Sequence, residues 1–180
     1  MSLWNQDVYI KALLFAGNAH GGQKIPGTDL SYLAHLSMVA MEVTAALAAE
    51  ESMNGNLAVQ CALLHDVIED AEVTWERVKE LFGVKVADGV SALSKNASLP
   101  KEERMADSLE RIRRQPKEVW MVKLADRITN LQPPPAHWTA EKMASYRQEA
   151  VQIHAALEAG NPFLAARLQD KIELYTFGQG

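Results

Sequence analysis

The chain has 180 residues, enough for one domain of ordinary size and for a core that needs no disulfide or metal staple. Eighteen Lys and Arg against 23 Asp and Glu give a formal net charge of −5, which argues against a general nucleic-acid binder but leaves room for a local basic pocket that takes a small anion. The single cysteine, Cys61, excludes an intrachain disulfide framework and a cysteine-based zinc site; it lies in the apolar run Ala58–Leu64 and reads as core filler in a reducing, cytoplasmic setting.

Helical periodicity runs through almost the whole chain. After the candidate cap Asn5, Val8, Leu13, Leu14, Phe15 and Ala19 recur at three-to-four spacing. Asp7 and Lys11 interrupt this stretch, so it does not read as a signal peptide. Residues 21–29 hold Gly21, Gly22, Pro26 and Gly27 and predict a loop. A second helix is predicted from Ser31 to about Glu50; its apolar stretch from Met38 to Ala49 contains Glu42 and is too short to span a bilayer. Asn54-Gly55-Asn56 breaks it, and a third helix is predicted from Leu57 to Asp70. Thr74 reads as the N-cap and Gly83 as the C-cap of a short helix. Further helices are predicted over 84–93, 101–114, from Pro116 to the prolines 133–135, and over 139–159 and 162–175. No alternating stretch of useful length and no internal repeat interrupts the pattern, so the expectation is a single all-α domain, a bundle of about eight to ten helices.

The segment Ala62-Leu63-Leu64-His65-Asp66-Val67-Ile68-Glu69-Asp70 carries the strongest chemical signal. On a continuous helix, His65, Asp66, Glu69 and Asp70 fall within an arc of about 140°, opposite Leu64, Val67 and Ile68. A solvated acidic face is one reading. A metal site is the other, because three carboxylates beside an imidazole with no cation among them repel one another unless a cation joins them. In Val119–Leu131, Lys123, Asp126 and Asn130 share one face of an otherwise apolar helix. A buried Asp126 needs a partner, either Lys123 or Arg127, or a metal ion. His35, at the start of the second helix, is a packed histidine or a further ligand.

His35, His65-Asp66 and Asp126 together match the H…HD…D pattern of the HD-domain metal-dependent phosphohydrolases. AHGGQ (19–23), ALLHDVIED (62–70), FGVKVADGVSALSK (82–95), LPKEER (99–104) and VKLADRITNL (122–131) resemble, in order and over nearly the whole chain, the hydrolase domain of the RelA/SpoT family and its stand-alone small alarmone hydrolases. The resemblance implies one divalent ion, usually manganese, on His35, His65, Asp66 and Asp126; this donor set also suits iron and would accept zinc. It implies general acid/base work by Glu69 and Asp70 on the attacking water and the leaving group, with orientation of the histidines as the alternative role. Asn130 would hydrogen-bond the metal shell or the ribose. Lys24, Lys101 and Lys142 match basic phosphate and base contacts, and Tyr146 a ribose or base contact; each has an ordinary structural reading beside it.

The implied substrate is a small molecule, a purine nucleotide bearing a 3′-pyrophosphate, (p)ppGpp or (p)ppApp, with neither polymeric nucleic acid nor membrane as partner. Where the family has two adjacent basic residues and then G-x-P-Y, this chain has Lys24-Ile25 and Leu30-Ser31-Tyr32, which leaves the choice between guanine and adenine open. A generic HD phosphohydrolase of nucleoside monophosphates and a non-catalytic metal-binding helical module are the competing readings. No synthetase or regulatory domain is expected, and the oligomeric state is not legible.

Overall fold

The computed structural model describes residues 3–50, 52–134 and 137–175. Among them the chain forms ten α-helices and one 3-10 turn, with a lone antiparallel bridge between Lys24 and Ser31 as its only β pairing. The helices are α1 (Gln6–Ala19), α2 (Tyr32–Ala49), α3 (Gly55–Leu64), α4 (Val67–Asp70), α5 (Trp75–Phe82), α6 (Val84–Leu93), α7 (Arg104–Arg113), α8 (Lys117–Asn130), α9 (Ala140–Leu157) and α10 (Pro162–Leu174). The 3-10 turn, Glu158–Gly160, joins α9 to α10.

The caps explain most boundaries. Asn5 accepts from the amides of Asp7 and Val8, Ser31 from Leu33, Asn54 from Leu57, Thr74 from Arg77, Thr139 from Lys142 and Asn161 from Leu164. Gly83 stops α5 with φ 90°, a left-handed backbone that other residues adopt only at a cost. α7 begins three residues later than its charge pattern predicts. Pro100 opens a turn closed by Glu103, and the Arg104 guanidinium binds the Leu99 and Ala97 carbonyls, which holds 97–103 as a loop. α8 ends at Asn130, before the prolines; Pro135 of the predicted proline stop lies outside the described residues.

The predicted continuous helix over 57–70 is corrected by the structure. It breaks at His65-Asp66, where Asp66 takes φ −104° and ψ −2°. Asp66 reaches Tyr32 and His65 through its side chain, and those bonds are exchanged for one more helical turn. The single ionisable arc read on the wheel is therefore two arcs on two helices.

α2, α3 and α8 pack together at the centre, with α1, α6 and α10 against them. α2 is apolar and long enough to cross a membrane by composition, but half of it is buried in this core. Its buried Glu42 accepts two 2.6 Å hydrogen bonds from Arg167 of α10, which neutralise a carboxylate that could not stay inside alone. α3 and α6 meet at Gly89, where an added Cβ would stand 2.9 Å from both Cys61 Sγ and Val119 Cγ2. Overpacking costs about 1–3 kcal/mol, against a helix-propensity gain of about 1 kcal/mol for alanine. Gly89→Ala is thus expected to destabilise the fold by about 1 kcal/mol, read as a lower urea midpoint at unchanged slope.

Candidate metal centre

Three elements of the core deliver four polar side chains to one point. His35 stands in the first turn of α2, fixed by the Ser31 cap. His65 ends α3, and its ring Nδ1 donates to the Ala62 carbonyl at 2.7 Å. That bond occupies Nδ1, so that Nε2 is the nitrogen turned toward the cluster. Asp66 occupies the break before α4, and Asp126 lies mid-way along the buried α8.

The two Nε2 atoms are 3.3 Å apart. Asp126 Oδ1 lies 3.5 Å from His35 Nε2 and 3.8 Å from His65 Nε2. Asp66 Oδ2 lies 3.0 Å from His65 Nε2 and 3.8 Å from His35 Nε2. One donor atom each from His35, His65 and Asp126 falls within 4.8 Å of the other two, and Asp66 borders this trio through both imidazoles. Lys123 bonds the far oxygen of Asp126, Oδ2, at 3.1 Å, and leaves Oδ1 turned toward the histidines.

A family model for the HD domain matches residues 12–162. The chain belongs to the HD-domain family. It is 29% identical over 167 residues to the guanosine-3′,5′-bis(diphosphate) 3′-pyrophosphohydrolase MESH1 of Danio rerio, a match that covers 90% of this chain and 91% of that protein. It is 35% identical over 175 residues to a GTP pyrophosphokinase of Myxococcus xanthus, covering 91% of this chain but only 22% of that longer protein. A solved structure of a metazoan SpoT ortholog, described as hydrolysing ppGpp, superposes with a TM-score of 0.79 at 27% identity, covering 92% and 94% of the two chains.

HD domains bind a divalent metal, and the electrostatics here fit one. Burial opposes charge on His65, yet the carboxylates of Asp66 and Asp126 push its pKa up to about 9. Burial would likewise raise Asp126, but Lys123 and the two imidazoles hold it well below the usual carboxylate range. The cluster is a field that favours positive charge at its centre, with two imidazole and two carboxylate donors aimed inward.

The HD-domain site has a supporting layer. Tyr32 Oη donates to Asp66 Oδ2 at 2.5 Å, and the Asn130 amide donates to Asp126 Oδ1 at 2.5 Å. Of the two roles open to Asn130, the structure shows the hydrogen bond to the cluster's carboxylate. Tyr32 had no role in the sequence reading, although its signal was present: Tyr32 and His35 are three apart on α2 and share a face. Loss of such an outer partner typically weakens metal binding 10- to 100-fold. Tyr32→Phe is expected to raise the calorimetric Kd for Mn²⁺ by about 10-fold while the fold survives.

Glu69 and Asp70 are exposed, beside a cluster in which His35, His65 and Asp126 are buried and Asp66 is half-buried. Glu69 Oε2 accepts from the Lys95 amide at 2.7 Å, and Lys95 Nζ lies 3.7 Å from Oε1. The Lys95 loop is itself clamped by Arg111, whose guanidinium binds the Ser91, Ala92 and Ser94 carbonyls. Lost hydration raises the Asp70 carboxyl, helped by Asp66 and Glu69; His20 and Lys95 oppose the shift.

The three predicted cations are exposed. Lys24 pairs with Asp29 at 2.6 Å, Lys101 is exposed on the turn before α7, and Lys142 lies 4.1 Å over the Trp138 ring. Tyr146 packs edge-on to Trp138, with the buried Arg127 guanidinium 4.5 Å over its own ring. Arg127 follows Asp126 directly, so this aromatic group adjoins the site through α8.

Proposed function

We propose that this HD-domain chain, read as one domain over 1–180, is a manganese-dependent hydrolase. It removes pyrophosphate from the 3′ position of purine alarmones, (p)ppGpp or (p)ppApp, in the cytoplasm. The observation that carries this reading is the convergence of His35, His65, Asp66 and Asp126 beside an exposed pair of carboxylates, Glu69 and Asp70. The likeness to 3′-pyrophosphohydrolases over nine-tenths of both chains supports the substrate class.

When bound, the divalent ion supplies Lewis acidity, polarising a phosphoryl group and acidifying water. His35, His65, Asp66 and Asp126 hold it, with Tyr32 and Asn130 fixing the two carboxylates. Water adds to the phosphorus next to the ribose, the P–O3′ bond breaks, and pyrophosphate leaves a free 3′-hydroxyl. One carboxyl takes the water's proton and another supplies a proton to O3′. Asp70, whose carboxyl lost hydration and the neighbouring Asp66 and Glu69 raise, is assigned the proton for O3′, and Glu69, held by the Lys95 amide, the fixed acceptor. Lys24, Lys101 and Lys142, all exposed, supply cations for the phosphates, and Tyr146 with Arg127 supplies a wall for ribose or base.

A generic phosphohydrolase of nucleoside monophosphates shares the same centre, and the pairing of Lys24 with Asp29 favours it, because that lysine is already neutralised. Incubation with ppGpp, ppApp and a panel of nucleoside monophosphates in Mn²⁺ separates the two. Pyrophosphate release from a 3′-pyrophosphorylated nucleotide is expected; orthophosphate release from monophosphates alone would overturn the reading.

A further inference from the structure

α6 ends at Leu93, and the last carbonyls of a helix find no amide within it. Here they find Arg111 of α7. Its Nη1 donates to the Ser91 carbonyl at 2.6 Å and to the Ala92 carbonyl at 3.2 Å, and its Nη2 donates to the Ser94 carbonyl at 2.8 Å. Asp107, one turn earlier on α7, accepts from Nε at 2.9 Å and turns the fork toward these carbonyls. A lone exposed ion pair contributes little to a fold. A guanidinium is different, because it is planar and its donors are fixed relative to one another. With Asp107 and the carbonyls all bound, it holds the end of α6 in one orientation.

The Ser94 carbonyl belongs to the same peptide group as the Lys95 amide. That group is trans and planar, so its C=O and N–H point in opposite directions. Arg111 binds the oxygen end, and the N–H end donates to Glu69 Oε2 at 2.7 Å. One rigid plate therefore lies between the guanidinium and the carboxylate. Fixing its oxygen fixes the direction of its N–H, and a cation at the oxygen polarises the group and strengthens the bond at the other end. Glu69 otherwise stands exposed on a flexible stem. The Lys95 ammonium, 3.7 Å from Oε1, is exposed as well and makes only a weak pair with it. The amide is the fixed partner.

We infer that Arg111 is a positioning residue for Glu69: through the Ser94–Lys95 peptide it holds the carboxylate in one orientation beside the hydrolytic centre. The inference rests on the proposed hydrolase reading for its catalytic consequence but not for the tether itself. Arg111 spends its donors on the end of α6 and on Asp107, not on the metal cluster or on the residues assigned to the substrate. Its effect therefore belongs in kcat and not in KM or metal content.

Arg111→Met keeps an unbranched stem and removes the fork. It is expected to lower kcat for pyrophosphate release from ppGpp or ppApp by about 10-fold, with KM and manganese content near those of the unaltered protein. Freeing the end of α6 also lowers the melting temperature, so a double-mutant cycle separates the two effects. In a Glu69→Ala background, Arg111→Met is expected to lower the melting temperature as before and to cost no further kcat, because the group it positions is gone. A loss of kcat that persists without Glu69, or unaltered kcat in Arg111→Met itself, would overturn the inference. Arg111→Lys keeps the charge but cannot reach the Ser91 and Ser94 carbonyls together; it is expected to share the loss, and it carries the same cycle if Arg111→Met does not fold. Hydrogen exchange at the Lys95 amide needs no turnover: protection is expected in the unaltered protein and faster exchange in the Arg111 variants, and equal rates would overturn the tether. An unaltered protein that releases no pyrophosphate would sink the hydrolase reading instead, and the exchange rates would still judge the tether.

Discussion

Asp126→Asn is expected to bind no manganese at micromolar concentrations and to retain less than about one-thousandth of wild-type turnover, since the ion contributes several kcal/mol of transition-state stabilisation. Asparagine has nearly the same shape, and its oxygen still accepts from Lys123. What it removes is the charge that pairs with Lys123 and, through Oδ1, faces His35 and His65. The imidazoles alone, with Asp66 at the side, leave a divalent ion under-neutralised in a site where all three central residues are buried. The metal-free variant should also melt lower than metal-free wild type, because Lys123 loses its counter-charge in the interior. Elemental analysis of dialysed protein, with steady-state kinetics, checks both halves. Wild-type metal content in the variant would contradict the placement of the ion.

Asp70→Asn separates catalysis from structure more sharply. General acid/base groups contribute typically 10²–10⁴-fold, so kcat is expected to fall by about 10³-fold. The direction of the stability change is opposite. Asp70 has a raised pKa in the fold, so its ionised form is disfavoured there relative to the unfolded chain. Below the ordinary aspartate pKa of about 4 the group is neutral in both states and the penalty is absent. As pH rises through the raised folded value the penalty grows to its full size and stays there at neutral pH. Removing the charge should therefore raise the melting temperature of the metal-free protein at pH 7 and leave it unchanged near pH 3. A variant that loses activity because it is misfolded would do the reverse. Thermal melts at the two pH values beside kinetics check the pair of expectations, and turnover near wild type would remove Asp70 from the mechanism.

The helical architecture was legible because caps and apolar spacing act locally. Asn5, Ser31, Asn54, Thr74, Gly83, Thr139 and Asn161 end or begin helices through bonds to residues within a turn. The break at His65-Asp66 was not legible, because the bond that rewards it comes from Tyr32, 34 residues away in sequence. The convergence of His35, His65 and Asp126 required the family pattern; spacing alone favoured a packed histidine at His35 and a partner among Lys123 and Arg127 for Asp126. The tether of Glu69 to Lys95 spans 26 residues and leaves no local mark. His20 stood in a motif without a role, since an enclosed nitrogen lacking a partner exists only in three dimensions. The lysines are the reverse case: sequence pattern assigns them to phosphate, while their exposed side chains take local partners such as Asp29 and Trp138.

The most direct test is a crystal of the full chain grown with Mn²⁺, with anomalous differences measured at the manganese edge. One peak is expected about 2.2 Å from His35 Nε2, His65 Nε2, Asp66 Oδ2 and Asp126 Oδ1, with Glu69 and Asp70 on its open side. A manganese peak held elsewhere, with those four side chains still packed against one another, would contradict the metal centre and the chemistry built on it.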